Sequence, residues 1–301
     1  MAARRSTRPR QRRFDDDAWQ PEHEPRSRPP RPTAATDTDT PADDVAWSTY
    51  RHATRGPVPV PPWVVTDPRA VDVDLGVVKT GKEAELSLVR RAVPTDVGDP
   101  DGDVRTCLLA AKRYRPHEHR LFHRDAAYLE GRRVRKSREM RAMRTRTEFG
   151  KDLIADQWAH AEFAVLGRLW AAGAPVPYPV QLYGTELMME FIGGDGVAAP
   201  RLAETRPDPV TARRWYEQLV DGLGVLAGEG LAHGDLSAYN VLVSGDRVVL
   251  IDLPQVVDVV GNPQGFEFLR RDCDNITAWF RARGVAADSL ALYHDLLDLA
   301  T

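Results

Sequence analysis

Cysteine is nearly absent from the chain, which has only Cys107 and Cys273. They stand far apart and in no metal-ligand spacing. That excludes a disulfide framework and a thiolate metal site, and it fits a reducing, cytoplasmic compartment. Apolar runs of membrane-spanning length are missing too, so no membrane partner is expected. Arg4-Arg5 has no apolar stretch behind it, which argues against export. No charge sign dominates: the formal net charge is -3, and by itself it implies no nucleic-acid partner. Aliphatic residues are scarce in about the first sixty positions, where Arg, Pro, Asp and Thr prevail. Such a segment cannot offset its ordering entropy by apolar burial. Residues 1–62 are therefore read as a disordered tail, basic up to Arg13 and ending in a stiff extended spacer, Pro57 to Pro62. The sequence shows no internal repeat. With 42% hydrophobic residues, the chain is long enough to bury a full core as one or two domains.

The sequence is organised around residues 231–243, Leu-Ala-His-Gly-Asp-Leu-Ser-Ala-Tyr-Asn-Val-Leu-Val, followed by Val248-Val-Leu-Ile-Asp252-Leu-Pro-Gln255. Phosphoryl transfer needs a carboxylate to accept a hydroxyl proton. It also needs an amide oxygen and a second carboxylate to hold the metal that bridges the nucleotide phosphates. Asp235 is the candidate base, with Asn240 and Asp252 as the candidate metal ligands. Val241–Val243 and Val248–Ile251 are aliphatic runs joined by the turn residues Ser244-Gly-Asp-Arg247, so they read as a hairpin. Asn240 then enters one strand where Asp252 leaves its partner. Two oxygen ligands meeting at a sheet end suit Mg²⁺, whose remaining ligands come from phosphates and water. Taken singly, either aspartate would pass for a turn cap or a strand end.

Leu75 to Val89 reads as strand, tight turn, strand, the turn being Lys79-Thr80-Gly81-Lys82-Glu83-Ala84. A glycine turn flanked by a hydroxyl and lysines can present N–H groups to phosphates, although one glycine is equally compatible with an ordinary hairpin. Arg91 to Asp103 reads as a polar loop. In the strand Val104 to Tyr114, Ala110 and Lys112 share a face. There a flat base would fit beside the alanine while the lysine reaches the α- and β-phosphates. Asp156 to Ala172 has helical period, with Trp158, Val165, Leu166 and Leu169 on one stripe and Glu162 in its midst. A carboxylate aimed at a core must be paired, and Lys112 is the natural cation. Residues 115–151 form an Arg-rich insert with no clear apolar stripe. It reads as a mobile basic flap, as a surface for RNA or an acidic partner, or as a solvated face.

Strands at Val180–Tyr183 and Glu186–Phe191 follow, the second ending in Gly193-Gly194. There the C=O of Glu190 and the N–H of Ile192 are candidate partners of an adenine edge. Helices are expected over Thr211–Glu229, Gln264–Arg283 and Ala286–Ala300.

Lys79-Thr-Gly-Lys-Glu-Ala84, His233-Gly-Asp-Leu-Ser-Ala-Tyr-Asn240, Ile251-Asp-Leu-Pro-Gln255 and Arg271-Asp-Cys-Asp-Asn-Ile276 resemble the RIO atypical serine/threonine protein kinases, nearest the Rio1 branch. The resemblance spans about residues 63–290. It implies an α+β, two-lobed kinase-like fold. Its N-lobe would be a small antiparallel sheet with one long helix (63–192), and its C-lobe a reduced helical one (193–301). It also implies ATP with Mg²⁺ or Mn²⁺ and a protein substrate. Asp235 falls on the family's catalytic base, Asn240 and Asp252 on its metal ligands, Lys112 and Glu162 on its lysine–glutamate pair, and Glu190 and Ile192 on its adenine hinge. The strand-terminal aspartate, here Asp252, is implied as a transient phosphate acceptor as well. Lys79 departs from the family's usual serine.

Only about forty-five residues follow Gln255, and none reads as an activation segment or a peptide-binding subdomain. Three readings therefore stand side by side: a RIO-type protein kinase, a nucleotide-dependent ATPase scaffold, and a small-molecule phosphotransferase like the aminoglycoside kinases.

Overall fold

The computed structural model describes residues 45–81, 84–94, 105–115 and 148–301. The tail before residue 45, Lys82 and Glu83 of the glycine turn, the loop from 95 to 104 and the Arg-rich insert from 116 to 147 lie outside the described residues.

The first half is an antiparallel sheet built from β1 (Val45–Trp47), β2 (Thr54–Arg55), β3 (Val71–Thr80), β4 (Ala84–Ala92), β5 (Thr106–Tyr114), β6 (Pro179–Tyr183) and β7 (Glu186–Glu190). Its seven strands are ordered β1-β3-β4-β5-β7-β6-β2. β1 and β2 therefore occupy opposite edges, although only residues 48–53 separate them. The step from Trp47 to Thr54 reaches about 25 Å at most. Six strand spacings laid flat would need about 29 Å, so the sheet must roll.

Each face of this sheet has its own core. On one, Ala110, Tyr114, Leu187 and Met189 pack towards helix α1 (Glu148–Ala171). On the other, Val89, Cys107, Leu109, Ala111, Val180 and Met188 are covered by Tyr50, Val64, Val65 and Ala70. The expectation that residues 1–62 stand outside the fold thus fails for Val45–Pro62. Both strand pairing and Tyr50 burial hold that segment. Its polar composition hides the few apolar residues that matter. A buried network fastens it further. Arg91 is fully buried, and its guanidinium donates to both oxygens of Asp72 (2.7 and 2.8 Å) and to Gln181 Oε1 (2.8 Å). The amide of Gln181 in turn donates to Thr49 Oγ1 at 2.7 Å.

Helix α1 begins eight residues earlier than its period suggested. Its buried stripe is Ala155, Ala159, Glu162, Leu166 and Leu169, whereas Trp158 and Val165 are only half-buried beside it. Small alanines let the helix approach the sheet closely, and they carry little hydrophobic signal in a sequence.

After β7 the chain makes the short hairpin β8 (Gly193–Gly194) and β9 (Val197–Ala198), then α2 (Pro209–Gly228), β10 (Leu231–Ala232), β11 (Val241–Ser244), β12 (Arg247–Leu250), β13 (Val257–Asp258), α3 (Gly265–Arg281) and α4 (Ser289–Ala300). Pro209 opens α2, and Asp208 caps it by accepting from the N–H groups of Val210 and Thr211. Trp215, Leu219, Leu223 and Leu226 of α2 share a core with Leu269, Cys273, Ile276 and Phe280 of α3 and with Leu292 and Leu296 of α4. The architecture is mixed α/β, an antiparallel sheet with four described helices. Among the described residues no helix is long and apolar enough to cross a membrane.

Candidate active site

The central loop, residues 233–240, hangs between β10 and β11. β10 pairs with β13, and β11 with β12 in the register Val241↔Leu250. One step beyond that hairpin the N–H of Ile251 donates to the C=O of Asn240 at 3.0 Å. Asp252 therefore begins beside Asn240, as the hairpin reading requires. Asn240 Nδ2 donates to the backbone C=O of Asp235 at 2.8 Å, closing the loop on itself. Asn240 is buried at 9% exposure, and Asp235 is half-buried.

Gly234 makes the loop's sharp turn with φ +80°, and a Cβ there would stand 2.4 Å from the carbonyl oxygen of Gln255. Only glycine fits both demands. His233 is buried, and its Nε2 donates to the carbonyl of Ile251 at 3.1 Å.

Asp272 on α3 supports the loop from beneath, a role the sequence reading did not assign. Its carboxylate accepts from the N–H of Gly234 (2.7 Å) and of Leu236 (2.9 Å). Arg271 donates to the carbonyl of Gly234, and Asn275 to that of Leu236 at 3.1 Å. Burial pushes the Asp272 carboxyl up, against the pull of His233, the two N–H donors and Arg271. The signal was available in the sequence. Asp272 lies on the same stripe as Leu269 and Ile276, the same misplaced-carboxylate pattern that singled out Glu162.

From the sheet, Lys112 reaches across. Its Nζ lies 2.7 Å from Glu162 Oε1 and 3.4 Å from Asp252 Oδ1. Glu162 is 2% exposed, and its other oxygen accepts from the Tyr114 hydroxyl. Burial would lower the lysine's pKa, but the Glu162 and Asp252 carboxylates outweigh it and hold the ammonium charged. Partial burial likewise works against ionisation of Asp252. Lys112, with His233 and Lys79 behind it, prevails and keeps that carboxyl below the usual range. Asp252 adopts a left-handed backbone, φ +65°, unusual for a residue with a side chain, and its side chain is half exposed. The structure thus brings Lys112, Glu162 and Asp252 together directly, and Asn240 and Asp235 through the loop backbone.

The glycine turn lies at the end of β3, where the N–H of Gly81 donates to the C=O of Ala84 at 2.9 Å. Lys79 and Thr80 are exposed. Partial burial and the nearby Arg201 hold the Lys79 ammonium below its ordinary pKa, with Asp252 opposing them. Glu190 closes β7, and its N–H donates to Tyr178 O at 2.8 Å. Ile192 is buried, and its C=O accepts from Ala199 N at 2.9 Å.

A family model described as the RIO domain matches residues 110–292. The chain belongs to the RIO family. The RIO-type serine/threonine-protein kinase Rio1 of Haloferax volcanii is 37% identical over 225 residues, which cover 74% of this chain and 68% of that protein. The serine/threonine-protein kinase RIO1 of Caenorhabditis elegans is 40% identical over 129 residues, covering 42% of this chain and 25% of the worm protein. RIO3 of Homo sapiens is 40% identical over 133 residues, 44% of this chain and 25% of that protein. The match to these two relatives therefore spans about a quarter of their length. As a member of the RIO family the chain is a RIO-type serine/threonine protein kinase, and the aminoglycoside-kinase alternative falls. The family match begins at Ala110 and ends at Leu292, so it contains the lysine, the glutamate, the central loop and Asp272.

Proposed function

We propose that the chain transfers the γ-phosphate of ATP to a serine or threonine hydroxyl of a protein, in the cleft between the rolled sheet and the helical half. These two parts would serve as the N-lobe and C-lobe of a reduced kinase. The observation that carries this reading is the shared ammonium of Lys112, bonded to Glu162 of α1 and to Asp252 beyond β12. One cation joining both halves beside a metal-type amide and carboxylate is the arrangement phosphoryl transfer uses.

In this reading Asp235 accepts the hydroxyl proton. Lys112, oriented by Glu162, turns to the α- and β-phosphates. Lys79, Thr80, Gly81 and Ala84 form the turn over the phosphates. The C=O of Glu190 and the N–H of Ile192 take the adenine edge. Asn240 and Asp252 are the metal ligands, and the donor set fits. Asn240 spends its amide nitrogen on the loop, which leaves its oxygen, and Asp252 is ionised and half exposed. Both are hard oxygen donors, and among the described residues no cluster of three His, Cys, Asp or Glu makes a self-sufficient metal cage. An ion such as Mg²⁺ or Mn²⁺, which takes phosphates as its other ligands, suits two protein donors. When bound it would neutralise charge on the phosphates.

A second reading rests on Asp252 itself. Its ionised, accessible carboxylate is chemically able to attack the γ-phosphorus, forming an acyl phosphate on Oδ and releasing ADP. Water then hydrolyses the acyl phosphate to aspartate and phosphate, an ATPase cycle.

The test incubates the protein with labelled ATP and Mg²⁺, with and without a generic protein acceptor, beside Asp235→Asn and Asp252→Asn. Acid-stable label on Ser or Thr that vanishes with Asp235→Asn supports kinase action. Label lost to hydroxylamine, and abolished by Asp252→Asn, supports the acyl phosphate. Unchanged nucleotide affinity and turnover in Lys112→Ala would overturn the role given to the ammonium.

A further inference from the structure

The Glu162 carboxylate is held by two donors from one strand. Lys112 and Tyr114 stand two apart on β5 and so face the same way, towards α1. Lys112 donates to Oε1 at 2.7 Å, and the Tyr114 hydroxyl donates to Oε2. Tyr114 is 5% exposed, and the Lys112 ammonium lies 5.2 Å from the centre of its ring. The tyrosine is itself anchored, its N–H donating to the C=O of Thr185 at 3.1 Å.

Lys112 is not a dedicated partner for Glu162, because it also pairs with Asp252 at 3.4 Å. If it turns to phosphates, as proposed above, the glutamate loses part of the one cationic partner it has among the described residues. A carboxylate this buried is costly unless fully paired. A second lysine would solve the pairing but would compete for the phosphates. A neutral hydroxyl donor does not.

We propose that Tyr114 is a positioning residue: its hydroxyl keeps Glu162, and with it α1, docked on the sheet while Lys112 changes partners. The helix-in arrangement is then built into the sheet itself and does not depend on nucleotide or on a separate activating segment. The inference rests on the phosphotransfer reading for its kinetic consequence, but not for its structural one.

The experiment compares the unaltered chain, Tyr114→Phe, Glu162→Leu and the double variant. Phenylalanine keeps the ring and its packing and removes only the hydroxyl. Two readouts are taken: steady-state kinetics, and amide hydrogen exchange over residues 155–166 of α1 without nucleotide. Tyr114→Phe is expected to lower kcat by about tenfold, the scale of a lost bond to a charged group. KM for ATP should move by less than about threefold, because Lys112 still meets the nucleotide. Exchange over α1 should accelerate, and Glu162→Leu, which offers no acceptor, should abolish any further effect of Tyr114→Phe on either readout.

Unchanged kcat and unchanged exchange in Tyr114→Phe would overturn the proposal. So would an equal loss in both backgrounds, which would mean that the hydroxyl acts elsewhere. Absence of phosphotransfer by the unaltered chain would sink the functional reading instead, while the exchange comparison would still decide the role of Tyr114.

Discussion

At the residue scale, the central loop depends on backbone groups that have a single partner each among the described residues. The N–H groups of Gly234 and Leu236 are satisfied by the two oxygens of Asp272, a residue that is 2% exposed. Asp272→Ala would leave both donors buried and unpaired, at about 1–3 kcal/mol each. We expect a lower unfolding midpoint in denaturant together with loss of phosphotransfer; a stable, active variant would show that α3 does not hold the loop. Residues at this scale were legible where a polar side chain interrupts an apolar pattern. Glu162 was found that way, and Asp272 carried the same signal. Tyr114 carried none, because a buried tyrosine is ordinary and nothing local says where its hydroxyl points.

At the element scale, two helix starts lend themselves to titration. Asp208 caps α2 and Asp288 caps α4. The Thr211 hydroxyl and N–H, with the Val210 N–H, hold the Asp208 carboxyl below the ordinary carboxylate range; the N–H groups of Ala291 and Leu290 do the same for Asp288. A depressed folded pKa contributes stability that is present above the unfolded value and is lost as pH falls through the folded one. Asparagine caps nearly as well but does not titrate. Asp208→Asn with Asp288→Asn should therefore leave the melting temperature near neutral pH little changed and shallow its fall below about pH 4. An acid limb as steep as before would count against this account.

The amino-terminal segment makes the other element-scale case. A chain beginning at Trp63 lacks β1, β2 and the Tyr50 lid, and it leaves Gln181 without Thr49. Its Tm should drop by at least about 5 °C, with increased binding of a hydrophobic dye; equal stability would return this segment to the tail.

At the scale of the whole molecule, the site exists only where the two halves meet, so ligand binding should stabilise the chain as a unit. ATP with Mg²⁺ at about a hundred times Kd contributes about 2.7 kcal/mol, a Tm rise of about 5 °C or more for a domain of this size. Chelating the metal should remove part of that rise, and Asp252→Asn should erase the metal-dependent part alone. A rise insensitive to both would exclude Asp252 as a ligand.

The sequence by itself determined the family and most of the elements. The order Asp235, Asn240, Asp252 and the β11–β12 hairpin are local matters of residue type, alternation and turn chemistry. Only the tertiary structure decided what those elements pack against. Rolling of the sheet puts β1 and β2 on its two edges, α1 lies on its alanines, and Asp272 and Tyr114 reach partners 38 and 48 positions away. The physical reason is the range of the forces. Turn and strand preferences act over a few residues and are written in them, whereas a buried hydrogen bond is worth making only once distant segments have excluded water around it.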